Sequence, residues 1–164
     1  MSVFGIVAFV CFSWSLIGFF NKLSSFILYF TLEEIGSVFA YMMAFALLES
    51  LVVTGFLVLL SALFPSEWLK NGFAYKGFLV TVILTIDAIL FQKFLPYRTP
   101  SALLLGLSTI LPMAIIVIMI HVLQSRPKLQ NLFINVQDRF LILLFAYLPI
   151  GLVSLLVVTV RNLL

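Results

Sequence analysis

The sequence predicts an all-α fold: a polytopic integral membrane protein, a bundle of about five transmembrane helices with one or two short interfacial helices. Three observations predict it. Of the 164 residues, 64% are hydrophobic and only 9% are charged, where soluble domains carry about a quarter charged residues. A water-soluble chain of about 150 residues buries only some 70% of its surface, so apolar surface in this amount has to face lipid. The apolar residues also fall into runs near the length of about 20 residues that a helix needs to cross the hydrocarbon core, and prolines and charges gather between the runs.

The first run covers residues 3–20 and is slightly short. The N-terminal stretch lacks the basic n-region of a cleavable signal peptide and is too long for a typical h-region, so it reads as a retained span. The second run, 35–64, is longer than needed and is expected to tilt or to begin in the headgroups. Pro65 stops it, and Trp68 and Lys70 stand where interfacial anchors belong. The third run is 73–95 and the fourth 101–123, with Pro96 and Pro100 forcing a tight turn between them. The fifth is 140–160. The whole chain, 1–164, thus reads as one transmembrane domain located in a membrane as a multi-pass protein.

Two connectors have helical periodicity of their own. Leu23, Phe26, Ile27 and Phe30 recur at helical spacing before the second run. Leu129, Leu132, Phe133, Val136 and Phe140 do so before the fifth, opposite Gln130, Asn131, Asn135 and Asp138. Both suit helices lying in the interface with the apolar face down; the other reading is that each extends its neighbouring span. The small-residue series Gly36, Ala40 and Ala44 is expected at helix contacts, where backbones approach closely.

Charge and cysteine content exclude several function classes. The formal net charge is +3, scattered over connectors, and forms no basic stripe of the kind nucleic-acid binders carry. With five spans, Lys70, Lys76, Arg126, Lys128 and Arg139 share one side against Lys22, Lys93, Arg98 and Arg161 on the other, which tilts the positive-inside balance towards a cytoplasmic N-terminus. Cys11 stands alone, so counting removes any intrachain disulfide, CxxC redox pair or cysteine-based metal site. His121, the single histidine, cannot make a bis-histidine haem site within one chain. It is expected at the interface end of the fourth run, solvated or locally hydrogen-bonded. Ser108 and His121 are too far apart on one helix to act as nucleophile and base, and HExxH and phosphate-binding glycine loops are missing. No catalytic residue, cofactor-binding residue or metal ligand is assigned, and no cofactor is expected.

The chemistry that remains is intramembrane and polar. Glu49 interrupts the second run and Asp87 the third. A central acid costs roughly 3 kcal/mol to insert, while each Leu, Ile, Phe or Val returns about 0.3–0.6; each run holds a dozen or more of these, so both insert. Counting from Pro65 back to Glu49 and from Phe73 on to Asp87 puts both acids roughly 21–24 Å from the same face at 1.5 Å per residue. If their helices are antiparallel neighbours, the two carboxyls meet and share a proton. Glu49 and Asp87 are therefore the candidate intramembrane polar site, for structural hydrogen bonding between helices or for an ion, proton or polar substrate. Ser50 and Thr54 flank Glu49, and Thr81, Thr85 and Gln92 line one side of the third helix. Pro112 and Pro149 break the backbone hydrogen-bond ladder of the last two helices.

Function is expected to be non-catalytic: an integral membrane accessory or scaffold protein acting through helix contacts with another membrane protein. The alternative is a small oligomeric transporter or channel using the intramembrane carboxylates. The expected partners are the lipid bilayer and another membrane protein or a second copy of the chain, with no nucleic acid.

Overall fold

The computed structural model describes residues 2–63, 72–94, 102–125 and 127–163. Five helices account for nearly all of them: α1 (Ser2–Tyr29), α2 (Leu32–Leu63), α3 (Phe73–Phe94), α4 (Ala102–Gln124) and α5 (Pro127–Leu163). Each is long and apolar enough to cross a membrane, and no strand occurs among the described residues. The expected anchors Trp68 and Lys70 and the turn at Pro96 and Pro100 lie outside the described residues.

The helices differ in reach. With 28, 32 and 37 residues, α1, α2 and α5 extend about 42–55 Å, well past a hydrocarbon core of about 30 Å. With 22 and 23 residues, α3 and α4 extend only about 33–35 Å. The interfacial helices expected in the two connectors are not separate elements. Residues 23–29 continue α1, and residues 129–140 belong to α5. No proline or glycine interrupts either stretch, so the backbone ladder runs on. The periodicity that suggested a surface helix instead keeps phase with the span: Phe133, Val136 and Phe140 pack on the core, and Asn131, Asn135 and Asp138 are exposed. The ladder also runs on past Pro112 and Pro149, each inside a single helix.

A tight turn joins α1 to α2. Thr31 and Glu34 form a capping box there: the Thr31 amide donates to the Glu34 carboxylate at 2.8 Å, and the Glu34 amide donates to the Thr31 hydroxyl at 3.4 Å. Two otherwise orphaned amides at the start of α2 are thereby satisfied. On the same face Tyr41 donates to Asn162 at 2.7 Å and Arg161 donates to the Ser37 hydroxyl, tying α2 to the end of α5.

The core lies where α1, α2 and α5 pack on one another. Phe12, Met43 and Ala46 are at most 1% exposed there. A Cβ added to Gly151 of α5 would stand 2.9 Å from the Phe12 ring tip and 3.1 Å from Leu47 Cβ, so glycine is what lets the three backbones converge. Phe12 stacks on Tyr147 at 5.2 Å, and Phe9 meets Phe140 at 4.6 Å. Ala40 and Ala44 are buried in this contact as expected, but Gly36 is not: a Cβ there would meet nothing within 4 Å. Gly36 lies in the first turns of α2, before that helix comes down onto the core.

Helix α3 packs on α1 and α5, and α4 packs outside it against α3 and α5. Val3 lies against Gly77, and Tyr75 and Leu79 cluster with Leu123 and Met119. Gln130 of α5 donates to the Leu123 carbonyl at 2.8 Å, which occupies an orphan carbonyl at the end of α4. Among the described residues, α2 packs on α1 and α5 and makes no extensive contact with α3. A gap is left between them.

Candidate functional site: an intramembrane cleft

That gap is a cavity of about 1110 Å³ bounded by α1, α2, α3 and α4. Helical spacing builds each wall. Val7, Cys11 and Trp14 come from α1; Glu49, Val53, Phe56 and Leu60 from α2; Met113, Ile116, Val117 and Ile120 from α4. These are i, i+3, i+4 and i+7 positions, one stripe of each helix. Helix α3 supplies the polar stripe, in which Thr81, Thr85 and Gln92 alternate with Leu84 and Ala88. His121 closes one end.

The packing register sets the levels. Tyr75 and Leu79 sit beside Leu123 and Met119, which puts His121 opposite Gly77. Gln92 stands 15 residues further along α3, so the cleft runs about 22 Å between these two side chains. Val3 against Gly77 carries Cys11 to the level of Thr85, and Gly18 against Met42, seven residues away on each of the antiparallel helices α1 and α2, puts Glu49 level with Cys11. Glu49, Thr81 and Thr85 therefore occupy the middle of the cleft, with Gln92 and His121 towards its ends.

The hydrogen bonding is one-sided. Thr81 donates its hydroxyl to the Gly77 carbonyl at 2.8 Å and Thr85 to the Thr81 carbonyl at 2.7 Å. Both protons are committed to their own helix, and the hydroxyl oxygens are left as acceptors. Glu49 has no hydrogen bond or ion pair with any described residue. The middle of the cleft consequently presents acceptors.

No hydrogen bond joins Glu49 and Asp87 among the described residues, and Asp87 is half-buried and does not line the cleft that Glu49 lines. The reason is rotational: Asp87 precedes Ala88 of the lining stripe by one residue, about 100° round the helix. The close α2–α3 packing expected from their short connection is not what holds α2, which packs chiefly on α1 and α5 and faces α3 across the cleft. Sequence reasoning missed His121 and Cys11 as wall residues. Their stripe positions on α4 and α1 are legible in the sequence, but nothing there says which stripe faces a gap.

A second polar feature lies elsewhere. Gln137 of α5 is fully buried, and its amide nitrogen and oxygen have no partner among the described residues. No cluster of metal-ligating side chains occurs among the described residues.

Fold and site define a class, an all-α multi-pass bundle of helices long and apolar enough to cross a membrane, with a cleft bounded by four of them. Compared with protein-family models, curated proteins and solved structures, the chain has no match.

Proposed function

We propose that the protein is a non-catalytic accessory or scaffold protein of a membrane, which works by receiving a transmembrane helix of another membrane protein in the cleft between α2 and α4. The observation that carries this reading is the cleft's size and shape. Its length of about 22 Å matches some 15 residues of helix, and a cylinder of that length and about 10 Å diameter occupies roughly 1,700 Å³. The cavity's 1110 Å³ accommodates most of such a helix and exceeds the roughly 300–1,000 Å³ of small-molecule pockets. Its walls are chiefly apolar, as a helix surface in lipid requires.

A photo-crosslinking residue placed at Val53 or Met113, in native membranes, tests the reading. Cleft positions are expected to cross-link one defined polypeptide, while Phe145, on an outward face with 80% exposure, does not. Val53→Trp, which fills the cleft, abolishes that product. Cross-linking to lipid alone from both cleft positions overturns the proposal.

A small oligomeric transporter or channel is the second reading, favoured by the alignment of Glu49, Thr81, Thr85 and Gln92 along one cleft. Ion or proton flux in reconstituted vesicles that is lost with Glu49→Gln supports it, and flux unaffected by that change removes the carboxyl from any such pathway.

A further inference from the structure

Resting on the helix-receiving reading above, the geometry points to the occupant's chemistry: a transmembrane helix of a different protein carrying a lysine or arginine near its midpoint, whose cationic group pairs with Glu49. Two observations converge. Glu49 stands in the wall at mid-depth with no partner among the described residues, and an ionisable group in a membrane interior is expensive unless paired. Across the cleft, Thr81 and Thr85 have given their protons to their own backbone, so Glu49 and both hydroxyls present acceptors to an occupant. A lysine ammonium or an arginine guanidinium supplies several donors and the opposite charge at once.

A second copy of this chain does not meet the requirement. None of its nine Lys and Arg residues falls in the middle third of any of the five apolar runs, so no span brings a cation to the level of Glu49. Asp87 is the other mid-depth ionisable group and has the wrong sign. Charge complementarity therefore selects a foreign helix over self-association.

The test uses the full-length protein in phosphatidylcholine vesicles and synthetic Leu/Ala helices with Leu, Asn or Lys at the centre, with binding read by energy transfer between labelled protein and labelled peptide. The central-Lys helix is expected to bind about tenfold more tightly than the central-Leu helix, the order of a good interhelical polar contact, with the central-Asn helix between them. Glu49→Gln is expected to remove most of that preference, while Glu34→Gln, at the capping turn, leaves it intact. If Lys and Leu helices bind alike, or Asn equals Lys, the basic-partner assignment is overturned while the cleft still receives a helix. If no helix binds and a long-chain alkylamine does, both the assignment and the helix-receiving reading fail.

Discussion

Gly151→Ala probes the one junction on which the bundle depends. The added methyl would sit 2.9 Å from the Phe12 ring tip and 3.1 Å from Leu47 Cβ. Leu47 Cβ is fixed to the α2 backbone, and Phe12 is 1% exposed and stacked on Tyr147, so neither neighbour yields without moving a helix. Overpacking of this kind costs about 1–3 kcal/mol, partly offset by the roughly 0.5–1 kcal/mol that alanine gains over glycine inside a helix. The net expectation is a loss of about 1 kcal/mol, within a range of roughly 0–2.5. Gly55→Ala is the matched control, because a Cβ there meets nothing within 4 Å and the change should be neutral or stabilising. The assay is reversible unfolding in mixed micelles with increasing dodecyl sulfate, followed by circular dichroism. Adding Phe12→Leu to Gly151→Ala should recover part of the loss, since the two sites touch. Equal stabilities for the two glycine variants, within about 0.5 kcal/mol, would refute the account of the core.

Three further expectations concern named side chains. Gln137→Leu replaces a buried amide without partners among the described residues and should stabilise the fold by about 1 kcal/mol, the low end of the cost of an unsatisfied polar group; a loss of similar size in the same unfolding assay would show that the amide is satisfied. Glu49→Lys and Asp87→Asn should be additive within about 0.5 kcal/mol, because Glu49 lines the cleft and Asp87 does not; a coupling above about 1 kcal/mol in the double-variant cycle would show that the side chains meet. Thr31→Ala removes the hydroxyl of the capping box at the α1–α2 turn and should cost about 1 kcal/mol, with faster amide exchange confined to the first turn of α2; unchanged exchange would mean that the cap contributes nothing.

The sequence by itself determined the class and the spans, because both depend on quantities local to the chain. Hydropathy summed over about 20 residues decides whether a segment enters lipid, and the punctuation at Pro65 and Pro100 bounded the runs to within a few residues of α2, α3 and α4. The starts of the long helices were less legible. The amphipathic stretch 129–140 fits a surface helix and the first turns of a span equally well, and only its contacts, such as Phe133 with Phe78 at 5.8 Å, place it in α5. Glu49 was legible as a candidate because a lone acid in an apolar run is costly wherever it sits. Which face it looks onto was not. Partner choice in a five-helix bundle is settled by small differences in packing, and here Gly151 lets α5 close against α1 and α2, while α3 packs on α1 and α5 and faces α2 across a cleft. That choice set Glu49 in a groove whose lining does not include Asp87, and it placed Cys11 and His121, unremarkable in the sequence, on the groove's walls.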